Sequence, residues 1–144
     1  MKKLSVMMVL VVLAVTLVTS YSFASQQSVK IMIDGQELRI PVGEPKAYVD
    51  KNNRTVIPIK FIAEALGLEV DWNRSQQLVT FTDADTTVKL KIGERQATVN
   101  GKTVYFDTQA VITQARTFVP LKFVSESFGA KVEWISRTRT VVIT

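Results

Sequence analysis

Residues 54–72 read RTVIPIKFIAEALGLEVDW, and residues 116–134 read RTFVPLKFVSESFGAKVEW. The second stretch aligns with the first without a gap at an offset of 62 residues, and Arg, Thr, Pro, Lys, Phe, Glu, Gly, Val and Trp recur at the same places. A match of this length within one chain is typical of an internal repeat. The sequence therefore predicts one small unit written twice, with repeat one at about 29–81 and repeat two at about 88–144.

Each copy carries the signals of one short helix. Pro58 and Pro120 suit the first helical position, where the missing N–H has no cost. Gly67 and Gly129 suit the left-handed residue just past the helix end. Between them, apolar residues recur at i, i+3, i+4 and i+7, which predicts a helix with one face on a core.

Strands surround each helix. After each glycine the apolar residues alternate with polar ones, which predicts a hairpin that closes each unit. Asp34-Gly35 and Asn100-Gly101 favour type I′ turns and predict a second hairpin ahead of each helix, with Ile31 opposite Leu38 and Ala97 opposite Val104. A further apolar alternation over 88–92 makes the start of repeat two a three-stranded meander.

The fold class is therefore α+β, built from two tandem repeats of β-hairpin or meander, short α-helix and β-hairpin. A unit of about 60 residues buries too little surface to be stable alone, and the chain has no cysteine for disulfides. We therefore expect the two repeats to pack as one domain, spanning 25–144.

The N-terminal segment has the pattern of a secretory signal peptide. Lys2 and Lys3 precede an uncharged apolar run from Leu4 to Val18, and Ser22-Phe23-Ala24 resembles a cleavage site. We predict a signal peptide over 1–24, and the alternative is an uncleaved membrane anchor. The apolar run is shorter than a membrane span needs, which favours cleavage over the anchor. After cleavage we expect no stable membrane span.

The composition excludes several kinds of chemistry. The chain has no histidine and no cysteine, so it lacks imidazole bases, thiolate nucleophiles and the usual zinc or copper ligands. The net charge is +5 without a dense run of Lys or Arg, which argues against a nucleic-acid partner. The carboxylates lie near turns or outward faces and form no calcium loop. We therefore predict no catalytic residue, no cofactor and no metal site.

The doubled Arg-Thr-x-x-Pro-x-Lys-Phe-x-x-Glu-x-x-Gly-x-x-Val-x-Trp motif, with Asp34-Gly35 or Asn100-Gly101 ahead of it, resembles the copper amine oxidase N-terminal-like (stalk) domain family. The resemblance covers about Val29 to Thr144 and implies a module of secreted and surface proteins of Gram-positive bacteria. It implies the stalk and not the oxidase, because a copper amine oxidase needs three copper-binding histidines.

The two tryptophans of the motif have two interpretations. Trp72 alternates in phase with Val70, and Trp134 alternates in phase with Val132, so we expect both indoles in the core. The alternative is that they are exposed platforms on which sugar rings stack.

The charged residues of the motif are expected to be structural. Arg54 with Glu64, and Arg116 with Glu126, persist in both copies, and we expect each arginine to pair with a carboxylate and tie the strand before the helix to the helix. Binding of an anionic ligand is the alternative.

Four residues outside the doubled motif are the weaker candidates for surface binding. Tyr48 and Tyr105 are either surface contacts or buried rings with the hydroxyl at the rim. Arg137 and Arg139 flank the last turn and form a basic tip that is either solvated or attracted to anionic wall polymers.

From these features we predict a non-catalytic, secreted or cell-wall-associated binding or spacer module that contacts a cell-wall polysaccharide or other extracellular polymer. The alternatives are an accessory or inhibitor module that binds another extracellular protein, and an enzyme of unfamiliar type.

Overall fold

The computed structural model describes residues 28–144. The signal peptide predicted over 1–24 lies outside these residues. The strands are β1 (Lys30–Ile33), β2 (Gln36–Glu37), β3 (Tyr48–Val49), β4 (Thr55–Pro58), β5 (Glu69–Asn73), β6 (Leu78–Thr82), β7 (Thr87–Lys91), β8 (Gln96–Val99), β9 (Lys102–Tyr105), β10 (Val111–Thr113), β11 (Arg116–Pro120), β12 (Val132–Ile135) and β13 (Thr140–Ile143). The helices are α1 (Ile59–Leu66), α2 (Leu121–Ser127) and a short 3₁₀ helix (Ser136–Thr138). The described residues contain three β-sheets and two α-helices, which confirms the predicted α+β class.

Both helices follow directly from a strand. Pro58 and Pro120 are the last residues of β4 and β11, one position earlier than the first helical position predicted for them. Their extended ψ angles of 133° and 112° explain the difference, because the backbone turns into the helix only after the proline. Gly67 and Gly129 have φ of 68° and 85°, which confirms the left-handed positions after the helices.

A four-stranded sheet in the order β10-β11-β4-β3 joins the two copies of the motif. β4 and β11 are antiparallel, and Ile57 pairs with Val119. These two residues are 62 positions apart, so equivalent positions of the two copies pair with each other across the sheet. On either side, Phe118 pairs with Pro58 and Pro120 with Val56, an exchange that corresponds to a local two-fold axis.

The remaining strands form two sheets that each mix the copies. One has the order β5-β6-β7-β8-β9, and the other has the order β12-β13-β1-β2. The hairpin after each helix therefore joins strands of the other copy and does not close its own unit as expected. In the second of these sheets, β1 lies parallel to β13, with Lys30 beside Thr140 and Ile33 beside Ile143.

The hairpin turns have the predicted geometry. Asp34 and Gly35, like Asn100 and Gly101, all have positive φ, as a type I′ turn requires. Ala97 pairs with Val104 as predicted.

One cluster of buried side chains contains residues from all three sheets and both helices. It includes Ile57 and Val119 of the central sheet, Val79 and Leu90 of the five-stranded sheet, and Val141 of the four-stranded outer sheet. This shared core is the physical reason for the exchanged hairpins, since a single 60-residue unit cannot bury enough apolar surface.

Candidate functional site: the cleft beside Trp134

Trp134 lies at the border between the core and the solvent. In the register of its sheet, Trp134 stands beside Val141, and Val141 stands beside Ile31. Val141 and Ile31 are buried, whereas Trp134 is 45% exposed. The predicted phase is therefore right, but the predicted burial is wrong, because β12 is the edge strand and no further strand within residues 28–144 lies on its outer side.

Trp72 repeats this arrangement in the five-stranded sheet. It stands beside Val79, which stands beside Leu90, and both of these residues are fully buried. Trp72 is 38% exposed because β5 is again the edge strand. The expectation of a core position is therefore wrong for this tryptophan too, and for the same reason.

A cleft of about 460 Å³ opens beside Trp134. Its lining comes from β12, from the turn before β4 and from the start of α2. The cleft is lined by Val49, Asn53, Arg54, Thr55, Leu121, Lys122, Val132, Glu133, Trp134, Ser136, Arg139 and Val141. The lining therefore combines apolar side chains with three cations and one carboxylate.

Arg139 lies over the face of the indole. Its guanidinium carbon lies 5.9 Å from the centroid of the Trp134 ring, within the range of a cation–π contact. Arg139 has a φ of 48° after the 3₁₀ helix, and Gln77, the position 62 residues earlier, has a φ of 50°. The same left-handed turn occurs in both copies, but it presents a cation only beside Trp134.

The other tip arginine behaves differently. Arg137 is exposed and lies outside the residues that line the cleft. The basic tip predicted from the sequence thus divides into one residue in the cleft and one in solvent.

The motif arginines form ion pairs, but not with the predicted glutamates. Arg54 donates two hydrogen bonds to Asp107, at 2.9 Å from Nε and 2.6 Å from Nη2. Arg116 donates two to Glu44, at 3.1 Å from Nε and 3.3 Å from Nη2. Each pair joins an arginine of one copy to a carboxylate ahead of the central-sheet strands of the other copy.

The predicted glutamate partners lie on the exposed helix surface instead. Glu126 pairs with Lys122 at 3.9 Å, and Glu64 is exposed. Both glutamates follow the arginine by ten positions and lie on the outer face of the helix, whereas the guanidinium extends along the sheet to the neighbouring copy.

These ion pairs favour the charged form of their carboxylates. The hydrogen bonds from Arg54 lower the pKa of Asp107, and those from Arg116 lower the pKa of Glu44. Because the four side chains are between 30% and 62% exposed, the pairs act as orienting contacts and not as a large source of stability. At the cleft, the bonds to Asp107 hold Arg54 at the rim, whereas Arg116 and Glu44 lie outside it.

The two candidate tyrosines have different surroundings. Tyr48 is half-buried, and its ring lies 5.2 Å from that of Phe118. Burial, followed by the nearby charge of Asp50, raises the pKa of Tyr48. Tyr105 is 76% exposed on β9 and lies outside the cleft. Neither tyrosine lines the cleft.

Sequence reasoning missed Lys122, Val49 and Leu121 as parts of the site. Lys122 and Leu121 entered the prediction only as positions of the repeated motif, and Val49 was not singled out at all. The repeat itself contained one usable signal, since Lys122 and Arg54 are motif positions that stay cationic in both copies.

Residues 28–144 contain no group of three or more Asp or Glu side chains that could hold a metal ion. Within the same residues, no helix is long and apolar enough to cross a membrane.

Comparison with known proteins gives two matches. The family model described as "Copper amine oxidase N-terminal domain" matches residues 32–143. A protein of Brevibacillus choshinensis named "Protease inhibitor" is 28% identical over 139 residues, which is 94% of this chain. The chain spans 41% of the length of that relative.

Proposed function

The chain belongs to the copper amine oxidase N-terminal domain family, and we propose that it is a non-catalytic binding module for a cell-wall or other extracellular polymer. The ligand has sugar rings and negative charge, and it lies in the cleft beside Trp134. The observation that carries the proposal is the half-exposed indole of Trp134 with the Arg139 guanidinium beside it.

The lining of the cleft suits such a polymer. The indole offers a flat apolar face on which a sugar ring can stack, and its polar edge tolerates water. Arg54, Lys122 and Arg139 supply donors for carboxylate or phosphate groups. At about 460 Å³ the cleft has the size of a small-molecule site, which is enough for one or two sugar units of a longer chain.

The lining also supports a role in binding without catalysis. Glu133 is the one carboxylate among the described residues that line the cleft, and Lys131 holds it at 3.0 Å. A glycosidase needs two carboxylates that face each other across the substrate. The absence of histidine from the whole sequence also leaves no ligands for the copper of an amine oxidase.

We further propose that the protein is exported by a signal peptide over 1–24, that residues 25–144 form one domain with two repeats, and that it acts outside the cell or at its surface. The apolar segment and the Ser22-Phe23-Ala24 site support export. The exchanged hairpins and the common core support a single domain.

Tryptophan fluorescence tests polymer binding at this cleft. The chain has two tryptophans, so Trp72→Phe leaves Trp134 as the sole reporter. Titration of this variant with wall teichoic acid and with soluble peptidoglycan fragments should give a saturable change, whereas neutral dextran should give none. In the same background, Arg139→Gln should weaken binding by about tenfold, since a charged hydrogen bond is lost.

Arg137→Gln is the matched control, because it removes an equal charge two residues away and outside the cleft. If it weakens binding as much as Arg139→Gln, the attraction is general and the cleft is not the site. If neither wall polymer changes the emission of Trp134, the proposal fails.

The relative named "Protease inhibitor" favours a second candidate, an inhibitor or accessory module that binds a protein. Residual activity of secreted serine proteases and metalloproteases, measured with increasing amounts of the purified protein, tests it. Stoichiometric loss of activity supports inhibition, and undiminished activity across the panel rejects it.

A further inference from the structure

The outer edge of β5 has backbone groups with no partner in the sheet. Asp83 N–H bonds to Thr86 C=O and Ile92 N–H bonds to Gln77 C=O, both at 3.0 Å, so the odd-numbered residues of β6 bond to β7. The even-numbered residues of β6 therefore bond to β5. Their partners on β5 are its odd-numbered residues, such as Asp71 beside Thr80.

The N–H and C=O groups of Val70 and Trp72 consequently point away from the sheet. No hydrogen bond within residues 28–144 satisfies them. All five residues of β5 pair with β6 without a bulge, so the free edge is straight and regular.

The side chains of β5 divide by charge between its two faces. Val70 and Trp72 share one face and are 40% and 38% exposed. Glu69 and Asp71 share the other face and are exposed. Among residues 28–144 no Lys or Arg lies within ion-pair distance of either carboxylate. The edge therefore has an apolar side and an acidic side.

The other edges differ from β5. On β12 the corresponding acidic residue, Glu133, is already paired with Lys131. At the opposite edge of the five-stranded sheet, β9 begins with Lys102, and a lysine at an edge opposes strand addition. No lysine, proline or bulge interrupts β5. Among residues 28–144, β5 is the longest edge strand, and neither of its acidic side chains has an ion-pair partner.

We propose that β5 is a docking edge for an extended segment of a partner protein in which apolar residues alternate with Lys or Arg. The segment adds as a strand, its backbone bonds to Val70 and Trp72, and its cations face Glu69 and Asp71. This inference is independent of polymer binding, which uses the cleft beside Trp134 on another sheet.

Three peptides test the inference on the Trp134→Phe variant, in which Trp72 is the sole fluorescent indole. One alternates lysine with valine, the second replaces its lysines with glutamate, and the third N-methylates the backbone of the first at alternate residues. We expect a saturable response to the first peptide alone. N-methylation should weaken binding by about tenfold or more, because it removes backbone hydrogen bonds.

Two kinds of variant identify the edge. Val70→Pro removes a donor that points outward, which an edge strand tolerates, and should abolish the response. Thr103→Pro makes the same change at the β9 edge and should leave binding intact. Asp71→Lys combined with Glu69→Lys should reverse the preference toward the glutamate peptide, and these exposed positions leave the fold unchanged.

Equal binding of the N-methylated peptide, or an unchanged preference in the double lysine variant, would overturn the inference. The inference would also be overturned if the lysine–valine peptide gave no response. None of these outcomes bears on polymer binding, which is read from Trp134 in the Trp72→Phe variant.

Discussion

Val79 and Val141 occupy the same position of the two copies, 62 residues apart, and each lies beside a tryptophan in its sheet. Both are buried, at 0% and 3% exposure. Replacing either valine with alanine removes two methyl groups. At about 0.8 kcal/mol for each, with an added cavity cost, each variant should lose about 2 kcal/mol of unfolding free energy.

Differential scanning calorimetry measures the consequence. A loss of about 2 kcal/mol lowers the Tm by about 8 °C for a domain of roughly 100–150 residues. Because both valines belong to one core cluster, each variant should still melt in one transition, with equal calorimetric and van't Hoff enthalpies. Lys89→Ala, at an exposed position of the same sheet, is the control and should change stability by less than about 0.5 kcal/mol.

The double variant sharpens the test. If Val79→Ala and Val141→Ala act on one cooperative unit, their losses add to about 4 kcal/mol in a single lowered transition. Two separate transitions, with one copy melting early and the other unchanged, would refute the reasoning from a shared core.

Four further predictions follow from single features. Hydrogen bonds from their arginine partners lower the pKa values of Asp107 and Glu44, so these carboxylates stabilise the fold above their ordinary pKa values of 3.8 and 4.5. The Tm should therefore fall as the pH drops below about 4. The Tm of the Asp107→Asn, Glu44→Gln double variant should fall less steeply over the same pH range. Gly67→Val and Gly129→Val should each cost about 1–3 kcal/mol in urea unfolding, because valine resists positive φ, and a loss near zero would contradict the role of the glycines. Intact-mass analysis of secreted protein should show a first residue of Ser25, and recovery only in membranes with the leader retained would contradict export. Purified protein should produce no peroxide from amines and should bind copper only weakly in calorimetric titration, whereas amine-dependent peroxide would show catalysis.

The local elements were predictable because short-range chemistry determines them. Gly67 and Gly129 could be placed past the helix ends from the left-handed backbone that a helix termination uses. Asp34-Gly35 and Asn100-Gly101 specified their turns and registers because few other residue pairs accept positive φ twice.

The long-range pairings were not predictable in the same way. Nothing in the alternation of residues 69–73 indicates whether the strand lies in the middle of a sheet or at its edge, so Trp72 was placed in the core although half of its environment is solvent. The partner of Arg54 lies 53 residues away at Asp107, and a guanidinium reaches any carboxylate that the topology brings near. The cleft could not be predicted either, because its lining residues come from both copies and are brought together only by long-range strand pairing.

The parallel pairing of β1 with β13 has a mechanical consequence. Because the strands run in the same direction, the chain enters β1 at Lys30 and leaves β13 at Ile143, at opposite ends of the paired segment. A tensile force applied to the two ends of the domain would therefore pull these strands past each other and load their hydrogen bonds together. Strands that are pulled apart from one end lose their hydrogen bonds one after another, whereas strands under shear must break several bonds at once. The β1–β13 pair is therefore loaded in the direction that needs the larger force to separate the strands.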